Sequence, residues 1–313
     1  MNKIPVIDLS RSESAESIAR ACEKVGFFTI TNHGVDESVL KASWQAARDF
    51  FDLPLDSRLR VAMPYKGYPY GYSPLSGETL ARSLGYFAPP DRKHSFAIGP
   101  VTEPEHNIAD PDEKFVWSPN LWPDEPRALR ESWTSRYIAL NKLAARLLSL
   151  MAESLRLPSD YFDSMIDRHT SAMRALDYPK AADPTDTVFE GQWGASAHTD
   201  YGTLTILEID PYQPGLQVRR SDNDWIDVDP LKGSLVVNLG DAMERWTNGR
   251  WRSTLHRVKI PTTRRQSIAF FHNANWDAVI ECLPTCLNEG EMALYPPIAA
   301  GPHLMNKFKT TVT

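Results

Sequence analysis

The sequence predicts a mainly β fold with helices around it, a β-sandwich or jelly roll. Three observations carry this expectation. After residue 165, short apolar and β-branched runs recur at regular spacing between Gly, Pro, Asn and Asp turns. Ahead of them lie two amphipathic helical patterns and a Pro- and aromatic-rich stretch. No apolar run approaches the roughly 20 residues that cross a bilayer.

The elements follow in order. Ile4-Pro5-Val6-Ile7-Asp8-Leu9 reads as an opening strand. Ala15, Ile18, Cys22 and Val25 recur at helical spacing, and Gly26 is a C-terminal stop. Phe27–Thr31 is β-branched and aromatic, so it reads as a strand, closed by the turn Asn32-His33-Gly34. Leu40, Trp44, Ala47 and Phe51 mark a second helix. It begins near Asp36 and Glu37, whose charges suit a helix N-terminus, and ends before Pro54. From Pro64 to Pro126 the periodicity fades. Tyr65, Tyr68, Tyr70, Tyr72, Tyr86, Phe87 and Phe96 make this stretch too aromatic for a disordered linker. Ordered loops with short strands, of the kind that cover a site, are expected there. Tyr137, Leu140, Ala144, Leu147 and Met151 form the core face of a long helix, with Pro126 in its first turn. The predicted strands are Ser171–Tyr178, Leu204–Ile209, Leu216–Arg219, Trp225–Val228, Leu235–Asn238, His256–Ile260, Ser267–His272 and Ala278–Ile280. The segment from Gly301 is expected as a short helix over the core. The expected division is a helical and loop region over 1–165, a core over 166–285 and a C-terminal segment over 286–313, all one unit.

Composition excludes several functions. The net charge of −6 argues against general nucleic-acid binding, which needs a basic surface. Met1-Asn2-Lys3-Ile4-Pro5 has no apolar stretch of a secretory signal. Cys22, Cys282 and Cys286 form no C-x-x-C pair, so neither a disulfide framework nor structural zinc is expected, and a cytoplasmic protein fits.

The chemistry centres on Ala197-His198-Thr199-Asp200-Tyr201-Gly202. In extended chain, residues i and i+2 share a face, so an imidazole and a carboxylate there make two-thirds of a divalent-metal site. His256, at the start of a later strand, is the third candidate. Two His and one carboxylate leave open positions on an octahedral metal, which suits non-haem Fe(II). The histidines His33, His94, His106, His169, His272 and His303 read as ordinary core or surface groups.

At this point several long motifs stand in order: Ile4-Pro5-Val6-Ile7-Asp8, Gly26-Phe27-Phe28, Asn32-His33-Gly34-Val35, His198-Thr199-Asp200 with Gly202 and Leu204-Thr205, Gly215-Leu216-Gln217-Val218, the run from Asn238 to His256, and Arg265-Gln266-Ser267-Ile268-Ala269-Phe270-Phe271. Over nearly the whole chain the sequence resembles the isopenicillin N synthase-like branch of the Fe(II)/2-oxoglutarate-dependent dioxygenases. The resemblance implies a double-stranded β-helix, a jelly roll, with flanking N-terminal and C-terminal helices. It assigns iron to His198, Asp200 and His256, and the distal carboxylate of 2-oxoglutarate to Arg265 and Ser267. Those two share one strand face, so a guanidinium fork and a hydroxyl can grip one carboxylate. Without the family, Arg265 beside Arg264 would read as a solvated strand-edge cation. Tyr178 matches the Tyr of the family's Asn-x-Tyr, and Leu176 departs from its Asn.

The implied reaction consumes O2 and 2-oxoglutarate, releases succinate and CO2, and oxidises an unactivated C–H bond by hydroxylation, desaturation or ring closure. Isopenicillin N synthase itself uses a similar Arg/Ser pair without 2-oxoglutarate, so an oxidase of that type is the alternative. The partner is a small molecule, with no nucleic acid or membrane, and a monomer is expected. Candidate substrate residues are Lys66, Tyr68, Tyr70, Tyr72, Arg174, Tyr201, Leu204, Phe271 and His272. Lys66 and Arg174 suit a carboxylate-bearing, amino-acid-derived metabolite. The tyrosine-rich loop suits a flavonoid-like aromatic one.

Overall fold

The computed structural model describes residues 3–65, 67–75, 77–85, 88–104, 107–180, 188–220 and 223–312. Lys66, Tyr86, Phe87 and His106 lie outside the described residues. Strands β1 (Val6–Asp8) and β2 (Phe27–Thr31) flank helix α1 (Ser14–Lys24). The helix stops where Gly26 turns left-handed at φ +70, its N–H returning to Ala21 at 2.9 Å. A Cβ there would also lie 2.1 Å from the Arg252 carbonyl oxygen, so only glycine fits. Helix α2 (Glu37–Asp52) is capped by Asp36, which accepts from the Ser38 N–H at 2.7 Å. The short helix α3 (Leu55–Leu59) follows.

The aromatic stretch holds strands β3 (Gly71–Ser73) and β4 (His94–Ile98) and helix α4 (Pro111–Val116). Helix α5 (Ala128–Ser154) begins two residues after Pro126, which therefore precedes its first turn instead of lying in it. After α6 (Asp163–Ile166) come β5 (Ala172–Tyr178), β6 (Ala195–His198), β7 (Leu204–Ile209), β8 (Leu216–Arg219), β9 (Trp225–Asp227) and β10 (Leu235–Leu239). Helix α7 (Asp241–Trp246), β11 (His256–Val258), β12 (Arg265–His272), β13 (Val279–Ile280), β14 (Ile298–Ala299) and helix α8 (Ala300–Val312) complete the chain.

Two sheets face each other. The larger runs β1-β2-β10-β7-β12-β5-β4-β3 and the smaller β6-β11-β8-β9. From β5 to β12 the chain passes back and forth between them, which is the wrapping of a jelly roll. The strands expected in the N-terminal region, β1 to β4, extend both edges of the larger sheet. β6 was not predicted, because Ala-Ser-Ala-His contains no β-branched residue. Pairing with β11 holds it.

Period-two alternation separates two cores. Ile206, Ile268 and Phe270 face the helices and pack with Trp133, Tyr137 and Leu140 of α5 and Phe50 of α2. The Trp133 indole donates to the Ser43 carbonyl at 3.1 Å, tying α5 to α2. Between the sheets, Phe27, Tyr178, Leu216, Val218, Val236 and Val258 fill one end of the roll. The remaining interior is a cavity of about 600 Å³.

Candidate active site

His198 ends β6 and stands opposite His256 of β11 in register. Asp200 lies two residues beyond the strand, in the loop towards β7, so it is not on the strand face that the spacing suggested. The loop returns its carboxylate to the two imidazoles. Asp200 Oδ1 is 4.0 Å from His198 Nε2 and 3.8 Å from His256 Nε2. One ligand atom from each residue falls within 4.8 Å of the others. This donor set suits a divalent metal.

The atoms behind these groups orient them. His198 Nδ1 donates to the Ser196 carbonyl at 2.7 Å and His256 Nδ1 to the Thr254 carbonyl at 3.1 Å. Both Nε2 lone pairs are thereby aimed at the centre. Burial, with His256 alongside, pushes the His198 imidazolium down to about 4, so its ring is neutral at pH 7. Burial alone would raise the Asp200 carboxyl. His256 and His198, with hydrogen bonds from Asn238 and Thr205, overcome it and hold the group below its ordinary value. Asn238 Nδ2 donates to Asp200 Oδ2 at 2.7 Å and Thr205 Oγ1 to the same oxygen at 2.5 Å.

The β5–β12 ladder forms the cavity wall on the larger sheet. Its inward rungs are Tyr178 with Arg265, Leu176 with Ser267, Arg174 with Ala269, and Ala172 with Phe271. Arg265 is 1% exposed. Its Nε donates to the Gln213 carbonyl at 3.2 Å, and its guanidinium lies 5.0 Å from the Tyr178 ring centre. Its Nη1 is buried without a partner. Burial lowers the guanidinium from its ordinary value, against Tyr178 and Asp210. A buried cation with a free Nη1 beside a buried Ser267 hydroxyl fits an anionic ligand, and a carboxylate matches the fork.

Among the other candidates, Tyr68, Tyr70, Tyr72, Arg174, Tyr201 and Phe271 line the cavity. Two do not. Leu204 points into the helix-side core, because β7 turns Thr205 and Leu207 inward. His272 lies one residue from Phe271 and so faces away. It is fully buried, meets Thr203 Oγ1 at 2.7 Å and stacks on His169 at 5.5 Å. Strand parity forbids Phe271 and His272 from sharing a face. The three tyrosine hydroxyls are already engaged. Tyr68 donates to Pro119, Tyr70 to Val116, and Tyr72 meets Arg58 and His94. Their rings shape the cavity, and burial raises the Tyr70 phenol well above its ordinary value. Arg174 is ion-paired: its Nη1 is 2.9 Å from both oxygens of Glu78.

Sequence reasoning missed Glu78 and Lys93, which reach the cavity from segments without periodicity. It also missed Thr205 and Asn238 as partners of Asp200, although both lie in quoted motifs. Their inward parity on β7 and β10 was the available signal. Met305 and Phe308 of α8 close the cavity from the C-terminal end, where Phe308 packs edge-on to Phe115. No described helix is long and apolar enough to cross a membrane.

Comparison with known proteins agrees with this geometry. The family model described as the N-terminal region of the non-haem dioxygenase in morphine synthesis matches residues 4–125, and that of the 2OG-Fe(II) oxygenase superfamily matches residues 168–274. A 2-oxoglutarate-Fe(II) type oxidoreductase of Emericella nidulans is 32% identical, with 97% of this chain and 89% of that protein covered. A homoarginine-6-hydroxylase of Arabidopsis thaliana is 31% identical over 98% of this chain and 97% of the relative. A full-length Neurospora crassa protein crystallised with α-KG and thymine superposes with a TM-score of 0.84 at 28% identity, covering 98% of this chain and 96% of that one. These matches favour the 2-oxoglutarate-dependent reading over the 2-oxoglutarate-independent oxidase. The chain belongs to the 2OG-Fe(II) oxygenase superfamily and is a dioxygenase of small metabolites that uses Fe(II), 2-oxoglutarate and O2.

Proposed function

We propose that His198, Asp200 and His256 hold the Fe(II), that Arg265, Ser267 and Tyr178 take the distal carboxylate of 2-oxoglutarate, and that the substrate is a carboxylate-bearing, amino-acid-derived metabolite. The observation that carries this is the convergence of three metal-ligand atoms and one buried guanidinium with an unpartnered Nη1 on a single cavity. When bound, Fe(II) and 2-oxoglutarate together supply the O2-derived oxidising power that breaks an unactivated C–H bond, with release of succinate and CO2. The chain's own residues position and shield. Two imidazoles and one carboxylate would hold the ion, three protein ligands being few enough to leave room for small ones. Arg265 and Ser267 would fix one end of the co-substrate and so orient it in the cavity. Tyr68, Tyr70, Phe271 and Phe308 exclude water around the reacting carbon.

Arg174 in the cavity wall and the homoarginine-6-hydroxylase relative support the amino-acid reading of the substrate. The aromatic wall favours the competing flavonoid-like substrate. The test is anaerobic addition of Fe(II) and 2-oxoglutarate, followed by a ligand panel. The visible absorption band of the ternary complex is expected, and carboxylate-bearing amino-acid derivatives are expected to perturb it and to release succinate once O2 is admitted. A panel in which only uncharged aromatics do so would defeat the substrate reading. Oxygen uptake that ignores 2-oxoglutarate would defeat the co-substrate assignment.

A further inference from the structure

We propose that Glu78 and Arg174 together read the head of the substrate, selecting a ligand whose ammonium and carboxylate stand side by side, as at the α-carbon of a free amino acid. This inference rests on the amino-acid reading above and narrows it.

Arg174 occupies the third rung of the β5–β12 wall, between the Leu176–Ser267 rung and the Ala172–Phe271 rung. Residues two apart on a strand are about 7 Å apart. Arg174 is therefore next to the carboxylate grip of Arg265 and Ser267, yet separate from it. Glu78 comes from the segment just ahead of the short helical turn Leu80–Leu84. The pair is not sealed away. The side chains of Arg174 and Glu78 retain 20% and 21% exposure, and both line the cavity.

Two further charges, Asp91 and Lys93, adjoin the pair. Asp91 is fully buried and accepts the backbone N–H of Leu80 at 3.0 Å and of Ser196 at 2.7 Å. It thereby ties the Leu80–Leu84 turn to the first strand of the metal site. Lys93, 3% exposed, balances it at 3.1 Å and reaches Glu78 only at 3.5 Å. Arg174 and Lys93 outweigh burial and hold the Glu78 carboxyl below its ordinary range, so the pair is ionised.

A partly buried ion pair is a poor source of stability, since desolvation offsets most of the attraction. It is an effective filter. A lone carboxylate gains from Arg174 and is repelled by Glu78. A lone amine meets the reverse, and a neutral aromatic desolvates both charges without recompense. A zwitterion answers both at once. Its side chain would then extend along the aromatic wall of Tyr68, Tyr70 and Phe271.

The experiment uses the Fe(II)/2-oxoglutarate enzyme with a panel of proteinogenic L-α-amino acids. Each is matched to its deamino acid, its decarboxylated amine and its carboxamide, and thymine serves as a neutral donor–acceptor probe. Perturbation of the absorption band and succinate release are both read. At least one amino acid is expected to act at about tenfold lower concentration than each of its three truncated analogues. Glu78→Gln should shrink the preference for the zwitterion over the deamino acid. Arg174→Gln should shrink its preference over the amine. Each preference is a ratio within one protein, so loss of folded material does not imitate it, and the wild-type series decides alone if a variant fails to fold. The proposal is overturned if deamino acids bind as well as amino acids, if thymine outcompetes them, or if none of the panel acts. Absence of the absorption band itself would instead overturn the metal and co-substrate assignment, leaving the two failures distinguishable.

Discussion

Replacing Asn238 by Leu removes one hydrogen bond from behind the metal site while keeping side-chain volume. Asn238 is 2% exposed, and its amide lies 2.7 Å from Asp200 Oδ2, which also accepts from Thr205. A hydrogen bond to a charged group contributes about 1.5–3 kcal/mol. At 1.4 kcal/mol per decade, Fe(II) affinity should fall about 10- to 100-fold, the usual range for an outer partner of a metal ligand. The backbone of β10 keeps its pairing with β2 and β7, so the fold should survive. The assay is an anaerobic Fe(II) titration against a competing chelator, followed by succinate formation as a function of added iron. The lost activity should return in part at excess Fe(II). Thr205→Val should act in the same direction, and the double variant should be non-additive because both bonds end on one oxygen. A folded Asn238→Leu protein with Fe(II) affinity within about twofold of wild type would refute the role given to Asp200 and its partners.

Other consequences are equally direct. Arg265→Gln should raise the KM for 2-oxoglutarate by about two orders of magnitude, since truncating one partner of a buried charge pair costs about 2–5 kcal/mol. Initial-rate kinetics at varied 2-oxoglutarate decide, and an unchanged KM would remove Arg265 from the grip. Gly240→Ala should destabilise the protein by about 1–3 kcal/mol, because its Cβ would lie 2.2 Å from the Gly202 carbonyl oxygen next to the metal loop. Thermal unfolding should show the loss, and an unaltered midpoint would contradict the close approach. Burial lowers His169 to about 4, and lowers His272 as well, with His169 stacked on it. The unfolded chain takes up these protons near pH 6.5 and the folded chain does not, so stability is complete above that pH and declines from 6.5 towards 4. Denaturant titrations of the apoprotein at pH 7 and 5 should show the decline, and His169→Asn should reduce it. Identical pH dependence in that variant would exclude His169 as a contributor.

Much of the fold was legible because it is encoded locally. The apolar period marked α1, α2 and α5, Gly26 marked the end of α1, and short apolar, aromatic or β-branched runs between turn residues marked β5, β7, β8, β10 and β12. The illegible parts depend on distant partners. β6 lacks strand-forming residues and exists because β11 lies beside it. β4 is a short segment recruited by the edge of β5, and β3 is recruited in turn by β4. Leu204 and His272 were placed in the cavity because a motif was read as a block, whereas alternation sends neighbouring residues to opposite faces. The ion pair of Arg174 is not legible because Glu78, 96 residues away, has no local mark.

The sequence by itself determined which chemistry is available. His198, Asp200 and His256 are the right donors, Arg265 and Ser267 share a strand face by parity, and the ordered motifs identify the family. These are properties of residue type and short spacing. Only the tertiary structure decided how they meet. It returned Asp200 from a loop to two imidazoles on paired strands and left Nη1 of Arg265 without a partner at the cavity. It also set Glu78 against Arg174 at the cavity wall. Such contacts join segments tens of residues apart, and they follow from how two sheets close on each other.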